Sequence, residues 1–198
     1  MKKGDVVAER FEIERPVGSG GMGRVYCALD RLSGEVIALK LLHRAEPRER
    51  LRFAREAQAL ATLRHPGIVR YVAHGSAADG SPYLAMEWLD GETLFERMAR
   101  KPLTMAESVL AITRVAAAVG AIHRRGVVHR DLKPSNLYLA RREIERVTLI
   151  DFGIARLPEM QAELTAPGTM LGTPAYMAPE QARSEPEVDA RADVFSLG

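Results

Sequence analysis

The chain has 198 residues, 28 lysines and arginines against 26 aspartates and glutamates, and a formal charge of +2. That length suffices for one large domain or two small lobes with a sizeable core, and interspersed charge of this kind excludes a single-sign field aimed at nucleic acid or a membrane surface. A single cysteine, Cys27, excludes an intrachain disulfide and fits a reducing compartment.

Met1-Lys2-Lys3-Gly4-Asp5 leads into no apolar signal core, and no run reads as approaching the ~18 apolar residues of a membrane span, so a cytoplasmic chain is expected. Phe11 to Val17 predicts a strand that runs into a glycine cluster. Arg24 to Leu29 predicts a second, in which Cys27 reads as a small packed residue. After the turn Arg31-Leu32-Ser33-Gly34, Val36 to Leu42 predicts a third strand, apolar apart from Lys40. From Arg48 to Arg64 the period becomes helical: Phe53, Ala57, Leu60 and Arg64 share a stripe with Glu56 beside it, and Pro66 ends the element. Ile68 to His74 and Pro82 to Trp88 predict two more strands around the turn Ala78-Asp79-Gly80-Ser81. A small lobe therefore ends near Trp88, with Leu89-Asp90-Gly91 as connector.

Thr104-Met105-Ala106-Glu107 has the form of a capping box. The helix after it runs to about Arg125, is rich in Ala, Val, Leu and Ile, and is predicted to be largely buried, with Gly126 as its stop. Gly126-Val127-Val128, Leu137-Tyr138-Leu139 and Val147 to Ile150 read as short strands. Residues 154–177 form a long irregular segment, and loops beyond about 12–15 residues are usually functional or disordered. Asp193 to Gly198 reads as a helix just begun, from which a piece of a longer protein is expected. There are no internal repeats.

The chemistry is concentrated in His129-Arg130-Asp131-Leu132-Lys133-Pro134-Ser135-Asn136 and in Asp151-Phe152-Gly153. Both lie at predicted strand ends, which can gather Asp131, Asn136 and Asp151 around a divalent cation. Mg²⁺ takes one or two side-chain oxygens plus substrate phosphates, which Asn136 and Asp151 supply. Asp131 is then left to accept a proton and Lys133 to steady a transferred phosphoryl group. Upstream, Gly18-Ser19-Gly20-Gly21-Met22-Gly23-Arg24-Val25 lets backbone N–H groups approach phosphate oxygens. A dinucleotide-binding turn would need a helix straight after the glycines; Val25-Tyr26-Cys27 are strand formers, so the glycines cap a hairpin. Lys40 inside an apolar strand reads either as an edge lysine facing solvent or as a buried ammonium, which is costly without partners. Phosphates and Glu56 are the candidates; Glu49 is the rival glutamate, and Glu56 neighbours the apolar stripe.

The pattern His-Arg-Asp-x-Lys-x-x-Asn followed by Asp-Phe-Gly resembles the catalytic core of eukaryotic-type Ser/Thr protein kinases. The resemblance runs from about Phe11 to the end. It implies an α+β, two-lobed fold: residues 1–88 a small antiparallel β lobe with one helix, residues 89–198 the first part of a mostly helical lobe, cut near the start of a long helix. It implies ATP with Mg²⁺ (or Mn²⁺) as cofactor and protein Ser/Thr hydroxyls as acceptors. Val17, Gly18, Ser19, Gly20, Gly23 and Val25 would surround the nucleotide, and Lys40 would grip its α- and β-phosphates while paired with Glu56. Met86 takes the gatekeeper position, backbone groups of Glu87 and Leu89 bond the adenine edge, and Val25, Ala38 and Tyr138 sandwich the ring. Tyr138 is bulky for the floor of such a pocket. Asp131 would take the acceptor proton and Lys133 steady the phosphoryl group, with Asn136 and Asp151 on the metal.

Lys133 and Gly172-Thr173-Pro174-Ala175-Tyr176-Met177-Ala178-Pro179-Glu180 resemble the Ser/Thr class, with Thr173 at the acceptor site. Arg130 beside the base implies activation by a phosphate in the loop, on Thr165 or Thr169, with a homodimer as the route to trans-autophosphorylation. Gly-Gly-Met-Gly and Pro-Glu-Gln-Ala-Arg resemble bacterial members, which often add a membrane anchor or sensor domains downstream. Two other readings stand beside an active non-specific Ser/Thr kinase: a catalytically weak, pseudokinase-like nucleotide-binding module, and a small-molecule phosphotransferase on the same scaffold.

Overall fold

Strand-forming runs between Phe11 and Leu42 build most of a sheet. β1 (Val6–Val7), β2 (Phe11–Gly20), β3 (Gly23–Asp30), β4 (Val36–Leu42), β5 (Tyr71–Ser76) and β6 (Pro82–Glu87) are antiparallel neighbours in the order β1-β2-β3-β4-β6-β5. The computed structural model describes residues 1–20, 23–42, 47–151, 174–183, 185 and 187–198, leaving aside the side chains of residues 20, 47–49, 52 and 174. It divides the chain into two units, residues 1–62 with 70–88, and residues 63–69 with 89–198.

In the first unit the step from β4 to β5 crosses over through helix α1 (Pro47–Ala61). Because side chains alternate across a strand, one face collects Phe11, Ile13, Tyr26, Ala28, Ile37, Leu39, Tyr83 and Ala85, buried together with Val7. Phe11 meets Tyr83 edge to face at 5.6 Å, a geometry worth about 1 kcal/mol beyond the area buried. The other face carries the rows Val25–Lys40–Leu84 and Cys27–Ala38–Met86. His74 of β5 continues the first row opposite Leu84, and its ring meets Phe53 of α1 at 6.2 Å. Helix α1 therefore lies on the face that carries Lys40. Gly23 opens β3 at φ +145°, where a Cβ would stand 2.1 Å from the Leu41 carbonyl oxygen. The close approach of β4 requires that glycine, whatever the loop binds.

A carboxylate organises the turn after β3. Asp30 is 1% exposed and accepts from the Arg10 guanidinium at 2.8 and 2.7 Å, the Leu32 amide at 3.0 Å and the Ser33 hydroxyl at 3.1 Å. The Arg10 hydrogen bonds, against the opposing effect of burial, bring its carboxyl pKa down from 3.8 to about 2. A depressed carboxylate pKa stabilises the fold above the unfolded value, and that contribution is lost as pH falls through the folded one. At ~1.36 kcal/mol per pKa unit, Asp30 contributes at most about 2 kcal/mol at neutral pH. In urea melts the stability gap between wild type and Asp30→Asn should close as pH falls from 3.8 to about 2. Curves that stay parallel through that window would remove this role from Asp30.

The second unit joins helices α2 (Leu94–Arg100) and α3 (Met105–His123) to a small antiparallel sheet of β7 (Gly91–Thr93), β8 (Leu137–Ala140) and β9 (Val147–Leu149). Both helices start on capping boxes: Thr93 with Glu96, and Thr104 with Glu107. The sequence predicts the second box; β7 and α2 go unpredicted, although Thr93-Leu94-Phe95-Glu96 spells the same signal.

Gly126-Val127-Val128 forms no strand, because Gly126 turns at φ +70° and the Val127 amide returns to the Ile122 carbonyl at 3.2 Å, closing α3. Ile68 and Val69 do not open β5. Ile68 bridges Leu149 in parallel, the Val69 amide donates to Leu149 O at 3.0 Å, and the Leu149 amide donates to Gly67 O at 2.8 Å.

α3 is buried along one side only. Ala111, Val115, Ala118, Val119 and Ile122 are inside, where the helix packs on β9 and the turn Ile144–Arg146, while Met105, Val109 and Ile112 are exposed. By length and composition alone α3 is long and apolar enough to cross a membrane, a test that the core helix of a soluble protein also passes. That overturns the reading that no run approaches such a length: across its 19 residues the charges Glu107 and Arg114 are diluted by alanine, valine and isoleucine.

Candidate active site

The loop between α3 and β8 is held from its backbone outward. Asp193, in the helix Ala190–Leu197, is fully buried. Its carboxylate accepts from the His129 amide at 2.8 Å, the Arg130 amide at 2.8 Å and His123 Nε2 at 2.7 Å. Such a buried carboxylate is tolerated because donors surround it. His129 is also fully buried. Its Nδ1 accepts from the Asp131 amide at 3.3 Å, so the ring hydrogen sits on Nε2, 3.4 Å from the Ile150 carbonyl oxygen. Burial holds this imidazole below its ordinary pKa, opposed by Asp193 and Asp131. His129 is thus a neutral spacer with one donor and one acceptor.

Between these fixed points Arg130 takes φ +64°, and Asp151, just after β9, takes φ +58°. For non-glycine residues this region costs of order 1–3 kcal/mol and persists where surrounding bonds over-determine the backbone. Asp131 Oδ2 accepts from Asn136 Nδ2 at 3.0 Å and lies 3.1 Å from Lys133 Nζ. Asn136 Nδ2 also donates to the Asp131 carbonyl oxygen at 2.8 Å, folded back by the 3₁₀ turn Pro134–Asn136. The Asn136 carbonyl oxygen accepts from the Ile150 amide at 3.0 Å, which sets the residue before Asp151 against this cluster. Asp131, Lys133, Tyr176, Met177 and Gln181 line a small open pocket.

Among the described residues no group of three or more His, Cys, Asp or Glu side chains gathers as a metal cage. An amide oxygen on Asn136 and a carboxylate on Asp151 make a sparser donor set, one that fits Mg²⁺ when phosphates complete its shell.

In the first unit Lys40 is 5% exposed, and Val25, Ala38 and Met86 share its face of the sheet. Glu56 is half-buried on α1, the helix covering that face. Val17, Gly18 and Ser19 are exposed toward the end of β2, and Gly20 closes the hairpin opposite Gly23. Glu87 donates its amide to Arg70 O at 2.9 Å, and its carboxylate accepts the Arg70 amide at 2.7 Å. Leu89 and Tyr138 belong to the second unit, where burial raises the Tyr138 hydroxyl pKa. Gly21, Met22, Phe152, Gly153, Thr165, Thr169, Gly172, Thr173 and the side chain of Glu49 lie outside the described residues.

Sequence reasoning assigns no role to Asp193, His123 or Gln181. Asp193 and Gln181 act on the loop from 64 and 51 residues away, and His123 bonds Asp193 from 70 residues away, so no local spacing signals them.

The family profile of the protein kinase domain matches residues 11–198. The serine/threonine-protein kinase Pkn2 of Myxococcus xanthus is 39% identical over 199 residues, covering 98% of this chain and 24% of the relative. The crystal structure of the Mycobacterium tuberculosis PknI kinase domain superposes with a TM-score of 0.79 at 33% identity, over 100% of this chain and 74% of that one. Rad53 residues 1–466 in complex with AMP-PNP superposes with a TM-score of 0.75 at 28% identity, over 98% and 47% of the two chains. The chain therefore spans about a quarter of the length of Pkn2.

Proposed function

The chain belongs to the protein kinase domain family and has bacterial Ser/Thr kinases as relatives, and from that premise we propose that it transfers the γ-phosphoryl group of Mg-ATP to Ser or Thr hydroxyls of proteins. The observation that carries this reading is the cluster at Asp131, whose Oδ2 is met by Asn136 Nδ2 at 3.0 Å and Lys133 Nζ at 3.1 Å beside an open pocket. Two donors fix the direction of the carboxylate, as a general base needs when it must meet an incoming hydroxyl. Asp131 takes that proton, and Lys133 neutralises charge on the phosphoryl oxygens. Asn136 and Asp151 would hold Mg²⁺, which would supply positive charge to offset the charge developing on the phosphoryl group.

Lys40, buried in an apolar row, needs an anionic partner, and phosphates together with Glu56 would serve. The glycine hairpin Gly18–Gly23 offers backbone N–H groups to the same phosphates. The Glu87 amide is committed to Arg70, so Glu87 reaches an adenine edge through its carbonyl oxygen, with Leu89 contributing its own backbone. Rad53 was solved with AMP-PNP, which supports a nucleoside triphosphate as donor. Phosphorylation of Thr165 or Thr169, by a second copy of the protein, would place a dianion where Arg130 could neutralise it. The kinase domain acts in the cytoplasm. A pseudokinase-like module is disfavoured because Lys40, Asp131, Asn136 and Asp151 are all present.

The test is labelled-phosphate transfer from γ-labelled ATP by the full-length protein, with Ser/Thr peptides, tyrosine-only peptides and a small-molecule alcohol as acceptors. Label should appear on Ser/Thr peptides, and removing divalent metal with a chelator should abolish it. Transfer confined to the small molecule, or unaffected by the chelator, would overturn the reading.

A further inference from the structure

Gln181 sits in the short helix Pro179–Ala182, 5% exposed, with both ends of its amide engaged. Nε2 donates to the Arg130 carbonyl oxygen at 2.8 Å, and Oε1 accepts from the Ala178 amide at 3.3 Å. The partners fix the orientation of the side chain, since a carbonyl only accepts and an amide N–H only donates. The Arg130 carbonyl and the Asp131 amide are the two polar groups of one peptide unit. Its N–H runs to His129 Nδ1 at 3.3 Å, and its C=O runs to Gln181. That peptide follows the residue held at φ +64° and carries the Cα from which the Asp131 carboxylate projects. Asp193 bonds the two preceding amides, those of His129 and Arg130, but makes no bond to this peptide's own groups.

We propose that Gln181 is a positioning residue for Asp131: it clamps the 130–131 peptide plane against His129 and so sets the angle at which the carboxylate meets the acceptor hydroxyl. The inference rests on the base role proposed for Asp131. Its physical content is that a left-handed residue on one side of a peptide leaves that plane free to rotate unless both of its polar groups are engaged. The bond to His129 is long at 3.3 Å, and the short one, at 2.8 Å, comes from Gln181. A misplacement of about 1 Å can cost on the order of 10²-fold in rate, so a single lost amide bond can matter far more to turnover than to folding.

Two variants separate this role from simple packing. Gln181→Met keeps the volume and removes the donor. In the full-length protein kcat should fall roughly 10- to 100-fold, KM for ATP should stay within about twofold, and hydrogen exchange at the Asp131 amide should accelerate. Gln181→Glu keeps an acceptor for the Ala178 amide but sets a carboxylate oxygen against the Arg130 carbonyl when ionised. Once protonated, its O–H restores the donor. The ratio of Glu-variant to wild-type kcat should therefore rise as pH is lowered from about 8 to about 6. A flat ratio across that range, or a Met variant with wild-type kcat and unchanged exchange at Asp131, overturns the inference. Absence of phosphoryl transfer by the wild type would strike the kinase reading instead. The exchange measurement would still decide whether Gln181 holds the peptide.

Discussion

Asp131→Asn should lower phosphoryl transfer by about 10²–10⁴-fold while leaving the melting temperature and ATP affinity close to wild type. The substitution keeps the shape of the side chain and an oxygen that can accept from Asn136 Nδ2, now at 3.0 Å from Oδ2. It removes the charge opposite Lys133 and the lone pair that would take the hydroxyl proton. The folding cost is small because Lys133, with its side chain 21% exposed, can turn its ammonium to water, and partly exposed ion pairs are worth about 0–1 kcal/mol. ATP affinity should persist because Lys40, on the first unit's sheet, and the glycine hairpin are untouched. The measurement is kcat on a Ser/Thr peptide alongside a titration of ATP binding and a melt. A variant that keeps most of its turnover would strip Asp131 of the base role. One that loses ATP binding in parallel would move the residue to nucleotide binding.

What was legible in the sequence was whatever a short period or a fixed local spacing can encode. Tyr26-Cys27-Ala28 and Ile37-Ala38-Leu39 read as strands and are strands, but runs apolar at every position do not say which face enters the core; the pairing of β3 with β4 does, and it puts Lys40 on the opposite face. The capping box at Thr104 announces α3, and the octet from His129 to Asn136 announces a polar cluster that a 3₁₀ turn then closes. Failures came where tertiary partners overrule local preference. Val127 and Val128 are strand formers, but the helix end takes the Val127 amide before a ladder can. Ile68 and Val69 look like the start of β5 and instead pair with Leu149, a partner far along the chain that no spacing rule identifies. α3 shows a different limit: composition reports how apolar a helix is, not how much of its circumference finds a partner.

Asp193 is the extreme case of that limit, and it carries the second large expected effect. Its sequence surroundings, Ala192-Asp193-Val194-Phe195, suggest an ordinary acidic residue near a helix start. In the fold its carboxylate is the acceptor for two backbone amides 64 and 63 residues away and for the His123 ring. Asp193→Ala would leave the His129 and Arg130 amides buried without an acceptor, at about 1–3 kcal/mol each, and would release the restraint that keeps Arg130 at φ +64°. Against a typical domain stability of about 5–15 kcal/mol, the expected outcome is a markedly destabilised second unit and loss of turnover.

Asp193→Asn is the sharper experiment. The amide is isosteric, yet it places an NH₂ donor where a carboxylate oxygen faced an N–H, so one backbone donor must lose its partner despite unchanged volume. We expect at least ~1 kcal/mol of lost stability, accelerated hydrogen exchange at His129 and Arg130, and exchange in β3 and β4 of the first unit near wild type. If the Asn variant melts and turns over like the wild type, the acceptor bonds to the loop are not what holds it. The strain at Arg130 would then have to be sustained from the Gln181 side alone.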